Sequence, residues 1–248
     1  MNFKIKMALR WTGWSLPVLA AGYLFLLCFP QPLFAYKFPA GNLTLYCDDP
    51  IPQSAGEVLR EAQGRLDKSP LRGLLGRQNV FICNQSWRYK WLANRNANGG
   101  GLAYGFCPWN VFLRKSDIAR NILFRGDGVT PSGPDRPLSY FIAHEMTHNL
   151  TSRFLGPLAG WRLSAWKKEG YADYVGKGGQ FDFQKNLDLF KKNDEALNPS
   201  QSGLYLRYQL MVAYLLDWKK ITVEAMLRGN FNRDKLEAEI RALPDKVR

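Results

Sequence analysis

The chain has 248 residues, 46% of them hydrophobic, which is enough for one compact domain or two small lobes around a full core. No internal repeat or long low-complexity tract interrupts it. The net charge of +13 draws such a protein toward anionic surfaces, but the lysines and arginines are scattered. No zinc knuckle, helix-turn-helix or glycine loop organises them for base reading, so the sequence predicts no specific nucleic-acid partner and favours a membrane surface.

The N-terminus points the same way. Residues 1–10 carry Lys4, Lys6 and Arg10, and no charged side chain follows from Trp11 to Tyr36. That span is long enough to cross a bilayer of roughly 30 Å with some tilt, with Trp11, Trp14 and Tyr36 suited to its two interfaces. Residues 1–36 are therefore expected to be an uncleaved signal anchor. The alternative is a signal peptide, for which Leu33-Phe34-Ala35 is the best cleavage site although only its last residue is small. Either way the positive-inside bias places residues 37–248 on the periplasmic or extracellular side. With Cys28 assigned to the membrane, Cys47, Cys83 and Cys107 form an odd set in an oxidising compartment. Cys83 with Cys107 is the expected pair, and buried free thiols are the alternative. Asn42, Asn84 and Asn149 head weak glycosylation sequons, the last within a helix where a glycan would obstruct folding.

Residues 37–136 read as a β-rich lobe. Strands are predicted at 42–47, 79–83, 102–106 and 110–114, with one amphipathic helix at 54–68 capped by Ser54 and a glycine-rich turn at 94–101. Trp87, Trp91 and Trp109 are expected to pack around these strands. A loop at 126–137 leads into a helical lobe, 137–248. Pro137 is placed at the start of its first helix and Gly156-Pro157 at its end. Further helices are predicted at 161–175, 204–219, 222–228 and 233–242, with a polar connection or short helix at 181–196.

The most informative stretch is His144-Glu145-Met146-Thr147-His148. Residues four apart share a helix face, so the two imidazoles can meet one metal ion with Glu145 beside them. The chain has only 2 histidines, and chance would place such a pair, followed by a glutamate, about once in 4,000 sequences of this composition. Two histidines and a carboxylate leave tetrahedral zinc an open position for water, the mark of a catalytic rather than a structural site. Glu145 is then positioned to accept the water's proton.

With Glu169 on the following helix and Asp173 four residues later, the pattern resembles the gluzincin metallopeptidases, the thermolysin-like clan. The segment Trp166-Lys167-Lys168-Glu169-Gly170-Tyr171-Ala172-Asp173-Tyr174 is similar to the EG-x-A-(D/E)-Y segment of small bacterial members, and Tyr205 ahead of Tyr214-Leu215 fits their later helix. The motifs cover residues 137–216. The resemblance implies an α+β, zincin-like fold with the zinc site between a small mixed β lobe and a helical lobe. It also implies zinc ligands His144, His148 and Glu169, general base Glu145, and Asp173 as the partner of His144. A strand before the metal helix, here Val111 to Arg114, is expected to line the cleft. Unlike thermolysin, the chain has no further histidine to stabilise an oxyanion. Tyr205 or Tyr208, with Arg207 behind them, are the expected substitutes. The functional expectation is a membrane-anchored zinc peptidase acting on peptides or proteins. The alternative is a catalytically silent zincin-like domain that binds a peptide or envelope component.

Overall fold

The computed structural model describes residues 3–93, 99–178 and 181–245, with side chains from residue 16 onward. The expected turn at 94–98 and the side chains of Lys4, Lys6, Arg10, Trp11 and Trp14 lie outside the described residues. The fold is α+β, built on a mixed sheet. Helix α1 (Phe3–Cys28) leads through a short 3-10 turn into β1 (Tyr36–Ala40) and β2 (Leu43–Cys47). Helix α2 (Ala55–Leu66), β3 (Gln78–Ile82), α3 (Ser86–Ala93), β4 (Gly101–Ala103) and β5 (Asn110–Leu113) follow, and then a minor two-stranded ribbon, β6 (Ser116–Asp117) and β7 (Ile122–Leu123).

The main sheet has the order β1-β2-β3-β5-β4. Its three central strands run parallel, and both edge strands are antiparallel to their neighbours. Parallel neighbours need a long crossover, which α2 supplies between β2 and β3. Ser54 stands before α2 but its hydroxyl makes no cap bond there, contrary to expectation. Strand β4 begins and ends earlier than predicted, because Tyr104 to Trp109 fold into turns. Strand β1 and helix α3 were not anticipated. In β1 the Pro39 ring disguises a strand, tolerated because β1 is an edge. For α3 the available signal was Asn84 and Ser86, residue types that open helices.

Alternation gives the sheet two different faces. Leu43, Leu45 and Cys47 point to one side with Val80, Ile82, Val111 and Leu113, and this aliphatic face packs into a core that continues through α2 and the helical half. On the other face Tyr46 stacks on Phe81 and Phe81 on Phe112, with ring centroids 5.0 and 5.3 Å apart. Leu27 and Phe34, together with Tyr89, Leu92 and Ala93 of α3, cover that aromatic face.

The last turns of α1 are thus part of the domain. Cys28 and Cys107 form a disulfide, while Cys47 and Cys83 are buried free thiols. The expected Cys83–Cys107 pair is corrected accordingly: Cys83 lies at the end of a buried central strand, whereas Cys107 faces the end of α1. The Asn110 amide donates to the carbonyls of Leu27 and Cys28 at 3.0 and 2.9 Å, groups otherwise left open at a helix terminus. Among the described residues no helix is long and apolar enough to cross a membrane. Of the tryptophans, Trp109 packs against Phe29, but Trp87 is 61% exposed, which departs from the packing role expected for all three.

The helical half begins with α4 (Leu138–Leu155), which is buried on nearly every side from Leu138 to Thr151. A helix without a solvent face belongs between layers, and α4 lies between the sheet and the later helices. Pro137 stands one residue before it, and Gly156, at φ +86°, ends it as expected. Pro157 then opens α5 (Pro157–Arg162), and extended backbone at Leu163 and Ser164 separates this from α6 (Ala165–Gly176). The single helix expected from Trp161 to Val175 is therefore two. The remainder comprises α7 (Phe183–Lys191), the one-turn α8 (Pro199–Ser202) and α9 (Leu206–Ala213), which passes into a π-helical turn at Tyr214–Trp218. Helices α10 (Val223–Arg228) and α11 (Arg233–Arg241) close the domain.

Candidate metal centre

Helix α4 delivers three of the site residues and α6 two. One turn of α4 brings the His144 and His148 rings to 4.9 Å between centroids, nearly perpendicular to each other. Glu169, near the middle of α6, reaches across so that its Oε2 lies 3.4 Å from His144 Nε2 and 3.5 Å from His148 Nε2. This reach depends on how closely α6 meets α9. A Cβ on Gly170 would stand 2.5 Å from the carbonyl oxygen of Tyr208, so a larger residue would push α6 and its glutamate away. The three ligand atoms lie within 4.8 Å of one another, and the cluster could hold a metal ion. Its donors, two imidazole nitrogens and one carboxylate oxygen, suit a first-row divalent metal.

Asp173, one turn beyond Glu169, accepts from His144 Nδ1 at 2.9 Å. With that nitrogen carrying a proton toward Asp173, the Nε2 lone pair faces Glu169 and His148, the orientation that metal ligation needs. Tyr140, which the sequence reading passed over, donates to the same Asp173 oxygen at 2.6 Å and is itself fully buried. Its position one turn before His144 on the same helix face was the available signal. Burial, reinforced by Asp173, pushes the Tyr140 phenol well above its ordinary value, so it remains a donor. Burial pulls His144 down, but the hydrogen bonds to Asp173 and Glu169 outweigh it and hold the imidazole up at about 10. Burial would likewise raise Glu169, yet the attraction of His148 and the bonds to both histidines hold it well below the usual carboxylate range. A bound cation competes for the nitrogen lone pairs with those protons.

Glu145 is buried, and its carboxyl is raised above the ordinary value, chiefly by that burial. Strand β4 passes directly over it. A Cβ on Gly101 would sit 2.6 Å from Glu145 Cγ and 2.8 Å from Oε1, so only glycine lets the strand and the carboxylate share this space. These groups open into a cleft of about 780 Å³ that Gly101, Glu145, Glu169 and Tyr205 help to line. The strand along the cleft is the edge strand β4. Val111, Phe112 and Leu113 of β5 are wholly buried, and only Arg114 from the expected segment reaches the lining.

The two tyrosines separate. Tyr205 stands at the cap of α9, stacked near the His144 ring at 6.3 Å between centroids and lining the cleft. Burial, then Glu169, pushes its phenol up to about 12. Tyr208 stacks behind Tyr205 and takes Arg233 over its ring; it is not among the residues lining the cleft. Arg207 is paired with Glu237. Asn149 is buried and donates to Gln78 and to the carbonyl of Asn110, which removes it as a glycan site. Compared with known proteins, the chain matches no family model and no curated protein.

Proposed function

We propose that the chain is a metal-dependent hydrolase and, more particularly, a zinc peptidase of the gluzincin kind. One observation carries this reading: His144, His148 and Glu169 converge on a single point at a cleft, with the buried carboxylate of Glu145 beside them. Bound there, zinc would supply the Lewis acidity that brings a water to hydroxide near neutral pH. Glu145 takes the proton given up by the attacking water and returns it to the departing amide nitrogen. The raised pKa that burial gives it suits a group that must hold a proton between two transfers. Tyr205, which keeps its phenolic proton across the working pH range, donates to the carbonyl oxygen as charge develops there. Asp173 and Tyr140 hold His144 in the required tautomer. Strand β4, a sheet edge along the cleft, is suited to an extended peptide.

In the same reading α1 tethers the domain to a membrane, with the catalytic half on the periplasmic or extracellular side. Leu16, Val18, Leu19 and Phe25 of α1 are exposed apolar side chains, and the Cys28–Cys107 bond belongs in an oxidising compartment. Removal of the segment at Ala35 would cut between the domain and a helix end that it covalently holds, so retention is favoured over cleavage.

The test uses full-length chain from the membrane fraction. Its mass should be that of the uncleaved protein, with about one zinc per chain by elemental analysis. Glu145→Gln should keep the zinc and lose about 10²–10⁴-fold in peptide hydrolysis. Unchanged metal content in His144→Ala would reject the site, and undiminished hydrolysis in Glu145→Gln would reject the mechanism. Peptide binding by the wild-type chain without turnover would favour a silent zincin-like domain.

A further inference from the structure

The cleft has two chemically different ends, and contacts between the β4 segment and α4 define the axis between them. A Cβ at Gly100 would meet the Phe141 ring, one at Gly101 would meet Glu145, and one at Gly105 would meet Ser152. Moving along β4 from Gly100 to Gly105 therefore follows α4 past its metal-binding turn.

Three arginines, Arg114, Arg125 and Arg136, line the cleft toward the Gly100 end. Arg136 lies over the Phe141 ring at 5.7 Å. The backbone of Arg114 bonds to Gly100, and its guanidinium sits over Tyr89 at 5.5 Å while donating to the carbonyl of Gly126. Arg125, the neighbour of Gly126, lines the same cleft and is exposed. Beyond the metal cluster the lining changes. Gly160 packs on Ser152, Pro157 follows, and Trp161 stands 80% exposed at the wall. The one lysine among the described lining residues, Lys168, is at the centre, 3.4 Å from Glu169. Apart from Glu145 and Glu169, Asp135 is the one carboxylate among the described lining residues. Three arginines, with Asp135 next to Arg136, thus stand toward one end of the cleft, and the exposed indole of Trp161 marks the other.

We propose that the cleft takes peptides with a carboxylate side chain on one side of the cleaved bond, held by Arg114, Arg125 and Arg136, and a bulky apolar side chain on the other, laid against Trp161. This rests on the peptidase reading above and names its substrate class. Guanidinium groups bind carboxylates in a fork that ammonium groups cannot reproduce. Charge complementarity at an open cleft acts through encounter and register and weakens with salt.

The test is a set of quenched fluorescent peptides, identical except for Glu, Gln or Lys on one side of the central bond and Phe or Ala on the other, made in both orders. With the zinc-loaded full chain, one order should give kcat/KM for Glu roughly ten-fold above Gln, with Lys lowest, and the spread should shrink as salt is raised to about 0.5 M. Arg125→Glu should reverse the ratio of Glu to Lys peptides, and Trp161→Ala should lower the ratio of Phe to Ala peptides. Equal cleavage of Glu and Lys peptides, or an unchanged ratio in Arg125→Glu, overturns the proposal. If no peptide is cleaved, the hydrolase reading fails, and the charge preference is read from fluorescence anisotropy of the same peptides bound to the Glu145→Gln chain. The order Glu, Gln, Lys in affinity upholds it there, and equal affinities overturn it.

Discussion

The two faces of the sheet are built from the same strands but answer to different demands. The face toward α4 is aliphatic, runs without interruption into the helical half and supports polar groups that must be held in register: Asn149 to Gln78, Asp173 to His144, Gly101 over Glu145. The opposite face is a ladder of stacked rings closed by the end of α1 and by α3, and a disulfide fastens it. One face positions the candidate metal cluster and the other retains a segment. Damage should divide along the same line, with loss of activity in a stable protein on the first side and loss of stability in a competent site on the second.

The largest effect is expected where β4 crosses Glu145, the proposed general base. Gly101→Ala places a methyl group inside contact distance of both Glu145 and Leu113, and a displacement of about 1 Å at a reacting group costs on the order of 10²-fold in rate. Assayed against Glu145→Gln, it should lower kcat strongly while zinc content and melting temperature stay close to wild type. A collapse of the fold instead would show that the strand, and not the carboxylate, is what the glycine protects.

On the other face, replacing Cys28 and Cys107 together by serine opens a loop with a sequence separation of 79 residues. Denaturant unfolding should show a loss of about 2–4 kcal/mol, with kcat/KM retained at low temperature, where the variant stays folded. Loss of turnover in a still-folded variant would mean that α1 communicates with the site through Asn110 and Asn149.

The smallest expected effect tests the support behind the metal. Tyr140→Phe removes the donor to Asp173 but leaves the ring packing. It should weaken zinc affinity by about 10-fold, at the low end for partners of this type, measured by competition with a chelator, while peptide preference is unchanged. Unaltered affinity would make Tyr140 a packing residue only.

Much of the site was legible because its determinants are local. A four-residue helical interval fixes His144 and His148, and the same interval relates Glu169 to Asp173. What the sequence could not convey was how elements meet. Tyr205 and Tyr208 look equivalent along the chain, yet the cap of α9 turns one toward His144 and leaves the other behind it. Cys28 read as a membrane residue because its neighbours are apolar, and its partner becomes apparent only when β5 brings Asn110 beneath the last turn of α1. The division of 161–175 into two helices escaped the hydrophobic pattern, although Ser164, at the N-cap of α6, is a residue type that starts helices. The α+β order, by contrast, followed from strand alternation and the helical periods after residue 137, whereas the parallel pairing of β2 with β3 around α2 is a finding of the structure.

The sheet's two edges invite a last comparison. An edge strand is a standing invitation to other chains, and proteins usually discourage it with proline and charge. Here β1 carries both, Pro39 and the exposed Lys37. Strand β4 carries neither. It has only Gly101, Leu102 and Ala103, and these face a cleft instead of open solvent. The fold thus guards one border of its sheet with proline and charge and lays the other along the cleft.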